Sequence, residues 1–323
     1  MQAHTQSPRW LNGALDHATD YLHRFVYSPG LELIVKELDP GYAKIEGLEK
    51  RLARLSDIAG KEWDFRKGRE RFEVTETEPM DQPDSEFGKV VIEGVHDMEI
   101  ASRSLATLRH YDIVAILGGA NMSCYHRLRY ALEQKISCNM LVFLGCERPL
   151  HESEKEQTHA YAPHAQTEFD LGLEAINTLL SSQLTDSERE VSIANGHFTV
   201  LQEQDGVPVV ALSAPPLGDH VRATTSDTYQ FLRSIEQSSF APGKNILFVT
   251  TAPYRYAQYF DAVRDITLVT GANIETIGYE LAYSNGEFKP SKYLQELKSA
   301  IEAANRLYSA IQASKSQHAI MSS

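Results

Sequence analysis

Three short stretches of this chain are continuously apolar, rich in β-branched residues and closed by small ones. They are DIVAILGG from Asp112 to Gly119, NMLVFLG from Asn139 to Gly145, and NILFVTT from Asn245 to Thr251. A strand with water on one face alternates apolar and polar side chains. A strand covered on both faces does not, and that is the pattern of a parallel sheet between helices. Helix-period segments lie between these runs: HRLRYALEQ, TEFDLGLEAINTLLSSQL, TSDTYQFLRSIEQ, YAQYFDAVR and KYLQELKSAIEAANRLYSAIQ. HFTVLQEQDGVPVVALSAPP reads as two strands joined at Asp205-Gly206, and NIETIGYEL as a further strand. The alternation predicts a three-layer, Rossmann-like α/β fold with a mostly parallel sheet.

Residues 8–70 carry helical spacing in Trp10, Leu11, Leu15, Leu22, Phe25 and Val26, and again in Ile45, Leu48, Leu52 and Leu55. Residues 73–88 are acidic, hold two prolines and read as an exposed linker; residues 98–110 read as a helix. The expected organisation is an N-terminal helical extension and linker (1–88), an α/β domain (89–312) and a frayed tail (313–323). The length of 323 residues suits two domains or one α/β domain with a helical addition. Leu294, Leu297, Ile301, Ala304 and Leu307 give the C-terminal helix an apolar stripe, which can face the sheet or a second subunit and so leaves a homo-oligomer open.

Thirty-one basic against 44 acidic residues leave a net charge of −13, which disfavours nucleic acid and anionic membrane surfaces as partners. No apolar run nears the roughly 18 residues of a spanning helix, and the N-terminus has no signal-peptide core. Cys124, Cys138 and Cys146 are too few for a disulfide framework and read as small core residues. The expectation is a cytoplasmic protein.

In an open parallel sheet, ligands bind beyond the carboxyl ends of the strands. The loops there are Gly118-Gly119-Ala120-Asn121-Met122-Ser123, Gly145 to Pro149, Ala214 to Asp227, and Thr250 to Tyr256. They combine glycines with hydroxyls and amides (Asn121, Ser123, Thr224, Thr225, Thr250, Thr251). Each is followed by arginine: Arg127 and Arg129, Arg148, Arg222 and Arg255. Guanidinium forks and helix N-termini both suit phosphate and carboxylate, so the pattern points to a small anionic metabolite. The same arginines can instead each pair with a neighbouring acid. Glu168 and Asp227 are the acid/base candidates, although both sit at helix starts, where a carboxylate also serves the dipole and Thr224 serves as a cap.

Several sites are not supported. G-x-G-x-x-G and Walker A are missing, so group transfer fits better than redox. There is no G-x-S-x-G elbow. His151, His159 and His164 stand among Glu152, Glu154 and Glu156 without a tight metal-ligand spacing, and no metal is expected. Two other readings stay open. One is a non-catalytic metabolite-binding or regulatory protein. The other is an acyl-transfer synthase with Ser123 as acyl acceptor and Tyr254 and Gln258 positioning the substrate.

The order of Leu117-Gly118-Gly119, Thr167-Glu168 at a helix start, Arg222-x-Thr224-Thr225-x-Asp227-Thr228 and Val249-Thr250-Thr251-Ala252-x-Tyr254 resembles the SanA/ElyC/YdcF-like family across residues 112–265. That resemblance implies a Rossmann-like fold and places Gly118, Gly119, Glu168, Thr225, Asp227, Thr250, Thr251 and Tyr254 at the site. S-adenosylmethionine binding has been proposed for some members; the residues themselves leave the cofactor open, with S-adenosylmethionine or a nucleotide as the candidates. Asp227 stands where the family has asparagine and Arg255 where it has histidine. The membrane anchor of many members has no counterpart in the helical N-terminal region. These departures suggest a diverged activity.

Overall fold

The computed structural model describes residues 15–69, 77–119, 121–180, 184–193, 196–203, 206–218 and 222–321. Trp10, Leu11, Asp205 and the first residues of the expected linker lie outside them. The helices are α1 (Leu15–Val26), α2 (Pro29–Lys36), α3 (Leu48–Glu62), α4 (Glu86–Asp97), α5 (Ser123–Glu133), α6 (Glu152–Thr158), α7 (Glu168–Leu180), α8 (Thr225–Ile235), α9 (Arg255–Ala262), α10 (Leu268–Thr270) and α11 (Pro290–Met321). The strands are β1 (His110–Leu117), β2 (Ser137–Gly145), β3 (Leu184–Ile193), β4 (Gly196–Glu203), β5 (Pro208–Ser213), β6 (Asn245–Thr251) and β7 (Asn273–Tyr279). None of the described helices is long and apolar enough to cross a membrane.

One compact unit comprises Ser104–Thr251 and Asp265–Tyr279. Its sheet runs β3-β4-β5-β2-β1-β6-β7. The five strands from β5 to β7 are parallel, and β3 and β4 extend one edge as antiparallel strands. The fold is the expected three-layer α/β arrangement. Parallel crossovers are right-handed, so α5 and α7, which lead from β1 towards β5, share one face. The return from β5 to β6 reverses direction and puts α8 on the other. Ile113, Ala115, Val142, Ile246, Leu247 and Ile274 are completely buried, which is why their strands read as unbroken apolar runs. On one side the Phe143 ring fills the space a Cβ at Gly172 would take, bringing α7 down onto β2. Strand β3 carries no apolar signal over Thr185 to Glu190 and was not anticipated.

The second unit is helical and comprises the described residues of 14–103, Ala252–Arg264 and those from Glu280 onward. Leu294, Leu297, Ile301, Ala304, Leu307 and Ile311 form the buried stripe of α11, which packs on α3, α4 and α9. The stripe therefore faces helices of its own unit, not the sheet or a second subunit. The unit boundary falls after Arg103 and not after residue 88, and α11 belongs with the helices. A contiguous reading of the sequence does not reveal that the chain returns to the helical unit twice.

Three local expectations are corrected. Residues 98–109 are irregular, and the helix there is α4, capped by Ser85, whose Oγ accepts the Gly88 N–H at 3.1 Å. The main chain of 104–108 is drawn into tertiary bonds instead. Ser104 N–H reaches Gly278 O at 2.9 Å, and Thr107 N–H reaches Glu275 at 3.0 Å. Tertiary partners override weak helical periodicity. The expected linker holds a single helical turn at Pro79–Asp81, where Asp81 accepts the Ser291 N–H at 2.9 Å and its hydroxyl at 2.7 Å, closing the start of α11. The tail does not fray at residue 313. Helix α11 continues beyond the buried Ile311 through Ala313, Lys315 and Gln317, residues of good helix propensity.

Candidate active site

The strand order reverses between β1 and β6, and the crevice of such a sheet lies beyond their carboxyl ends. Gly118-Gly119 follows β1 there, and Thr250-Thr251 closes β6. Arg127 on α5, buried, spans the two ends. Its Nη1 donates to Leu117 O at 2.8 Å and also to Gly118 O. Its Nε and Nη2 each reach Thr251 Oγ1 at 3.3 Å. This arginine fixes the loop by binding main chain. Beside it, Thr250 is fully buried and its Oγ1 has no hydrogen-bond partner among the described residues.

Glu168 occupies the centre of the arrangement. The loop after β2 pairs with the segment before α7: Leu150 N–H bonds Gln166 O at 2.8 Å, and Glu168 N–H bonds Arg148 O at 3.0 Å. That pairing delivers the Glu168 side chain to the ends of β1 and β2. Oε1 lies where a Cβ on Gly118 would stand and 3.8 Å from Cys146 Sγ, and Oε2 is 3.5 Å from Arg148 Nε. Glu168 is not the cap of its helix. Thr167 Oγ1 accepts the Asp170 N–H at 3.1 Å and Asp170 returns to the Thr167 N–H at 2.9 Å, so the cap is already closed. Burial pushes the Glu168 carboxyl above the usual carboxylate range, although the charges of Arg148, Arg127 and Arg222 pull it down. Cys124 and Cys146 border the same carboxylate. Burial pushes both thiols up to about 12, which makes them inert and suits the core role expected of them.

The arginines do not act alike. Arg148 is buried and forms a two-bond pair with Glu154, 2.8 Å from Nη1 and 2.9 Å from Nη2. It is thus committed to its own acid and is not a free ligand clamp. Arg129 pairs with Glu133 one turn along an exposed face. Arg222 is exposed, and its charge reaches Glu168 and Cys146. Glu154 escaped the sequence reading as an arginine partner. The His151-x-x-Glu154 spacing was its signal, since Glu154 accepts the His151 N–H at 2.9 Å in the capping box of α6.

Asp227 behaves as its helix-start position allows. It accepts the Thr224 N–H at 2.7 Å and gives its own N–H to Thr224 Oγ1 at 3.3 Å, capping α8. Thr225 is half-buried in the first turn. Asn121, half-buried, takes a positive φ of 54° that lets the loop turn into α5. Ser123 opens that helix, half-buried. The N-cap of α5 is Met122, which supplies no side-chain cap bond, whereas α7 and α8 begin with reciprocal caps. Tyr254, Arg255 and Gln258 belong to the helical unit. There Arg255, buried, donates to Glu99 O at 3.1 Å, and Tyr254 packs edge-on against Phe288.

Residues 12–89 match the family model of the Rv3785 N-terminal domain. Over nearly its whole length the chain is similar to three mycobacterial proteins. Uncharacterized protein Rv3785 of Mycobacterium tuberculosis is 26% identical over 332 residues, covering 93% of this chain and 92% of the relative. Uncharacterized protein Mb3814 of Mycobacterium bovis aligns with the same identity and coverage. No solved structure matches. The similarity runs through both units.

Proposed function

We propose that the protein is a cytoplasmic enzyme of the group-transfer class acting on a small anionic or nucleotide-like metabolite, with Glu168 as its acid/base. The observation that carries this reading is the Glu168 carboxyl, its side chain 12% exposed, at the ends of β1 and β2. It is raised in proton affinity and excused from capping by Thr167 and Asp170. A carboxyl whose proton affinity is raised by burial is suited to giving and taking a proton in catalysis. The anion's charge falls to the N-terminus of α5 and to Arg222, whose charge reaches Glu168, while Arg127 and Arg148 bind the main chain and Glu154. The half-buried Gly118 and Gly119 let a ligand approach the backbone there. S-adenosylmethionine or a nucleotide fits this chemistry, as does a distant relationship to the SanA/ElyC/YdcF-like family.

The test is a melting-temperature screen of the full chain with nucleotides, S-adenosylmethionine and sugar phosphates, followed by turnover of whichever ligand binds. Binding at a hundredfold excess over Kd adds about 2.7 kcal/mol of stability, a shift that is easily seen. Glu168→Gln is expected to keep binding and lose turnover at least a hundredfold. Silence across the whole panel overturns the reading. Binding that leaves every ligand unchanged points to a metabolite sensor on the same scaffold.

A further inference from the structure

The helical unit contains a cleft of about 510 Å³, a volume within the range of small-molecule sites. Its wall is built by the end of α4, the turn that follows it, the loop 280–288 and the start of α11. The apolar part is Ile92, Leu281, Phe288 and Tyr293. The two rings meet edge to face, their centroids 5.4 Å apart, and Tyr293 is buried. Within this lining stands Glu280. Among the described residues its Oε2, which is buried, accepts no hydrogen bond, and the carboxylate forms no ion pair. Arg103, which also lines the cleft, is exposed and holds no carboxylate.

A carboxylate without an ion-pair partner can take up a cation without breaking an existing bond, and a charged pair of this kind is stronger than a neutral hydrogen bond. An aromatic wall beside an unpaired carboxylate is the pairing that accepts an ammonium with an apolar body: the carboxylate takes the charge, and the ring faces take the hydrocarbon and the fringe of the cation. We propose that this cleft is a second ligand site, separate from the Glu168 centre, for a small organic ammonium compound. The ammonium pairs with Glu280 and the apolar portion lies against Phe288 and Tyr293. The site does not depend on the proposed chemistry at Glu168 and stands or falls independently of it.

The experiment is calorimetric titration of the full chain with 2-phenylethylamine and with its uncharged counterpart 2-phenylethanol. The amine is expected to bind at least tenfold more tightly than the alcohol, and Glu280→Gln to remove that preference. Phe288→Ala is expected to weaken the amine at least fivefold while Arg103→Ala leaves it unchanged. The comparison of amine with alcohol on the unaltered protein needs no variant, so misfolding of Glu280→Gln does not shield the proposal. Equal affinity for the two compounds, or no binding of either at millimolar concentration, overturns it.

Discussion

Oε1 of Glu168 occupies the place a Cβ would need on Gly118, while the Leu144 carbonyl oxygen stands 2.7 Å from the same point. The strand-end glycine and the buried acid are thus fitted to each other. Gly118→Ala must displace either the carboxylate or a strand carbonyl, and the carbonyl is fixed by the sheet. A loss of about 1–3 kcal/mol in denaturant unfolding is expected. Gly119→Ala meets Arg127 Nη1 at 2.9 Å, a contact with a side chain, and should cost less.

Burial raises the Glu168 carboxyl above its unfolded value, so the folded protein holds this proton more tightly than the unfolded chain. The associated stability is complete below the ordinary carboxylate value and is lost as pH rises through the raised one. Glu168→Gln should remove that term. The difference in stability between variant and parent, measured by urea unfolding from pH 4 to 8, is expected to change in the variant's favour as pH rises. A difference independent of pH would refute the placement.

Glu154 shows the opposite sign. Burial alone would raise its carboxyl, but the Arg148 guanidinium and the N–H groups of His151 and Asn121 together hold it low. Its contribution is present at neutral pH and fades as pH falls from the ordinary carboxylate value through the lowered one. Glu154→Ala leaves Arg148 buried without its main partner. A cost of about 3–5 kcal/mol at pH 7 is expected, shrinking towards low pH.

In the helical unit Arg51 is 5% exposed and lies over the Tyr27 ring at 4.0 Å and the Tyr42 ring at 5.0 Å. It also donates to Ile45 O at 2.9 Å, Ala43 O at 2.8 Å and the Glu32 carboxylate. A lysine keeps the charge but can neither stack as a plane nor reach both carbonyls. Arg51→Lys should lower stability by about 2 kcal/mol, read by thermal unfolding, without altering ligand binding at the α/β unit.

Thr224→Ala removes the cap of α8 and should cost about 1 kcal/mol. If Asp227 is only the reciprocal partner of that cap, Asp227→Asn will leave turnover intact once a substrate is known. Loss of turnover with full stability would return Asp227 to the catalytic set.

The parallel sheet was legible because Ile113 to Leu117, Leu141 to Leu144 and Ile246 to Val249 are buried on both faces, and no soluble alternative tolerates such runs. The edge strand β3 was not, since its polar residues carry no apolar pattern. Glu168 and the loop glycines were legible as strand-end and helix-start residues. Which carboxylate was a cap and which was not could not be read. Thr167-x-x-Asp170 and Thr224-x-x-Asp227 are the same sequence signal, and only the first leaves a second acid, Glu168, beside it. The arginines misled for a related reason: Arg148 finds its partner Glu154 six residues on, through a loop fold that charge counting cannot see.

Because α11 lies on α3 and α4, these early helices cover part of their apolar surface only once α11 is in place, even though a family model spans residues 12–89. Expressed alone, they would bare the apolar flank that the last helix covers, and a matching peptide from Pro290 onward would be needed to sheathe it. Segments on both sides of the α/β unit in the sequence are therefore needed before the helical unit is finished, so its assembly waits until α11 has been made.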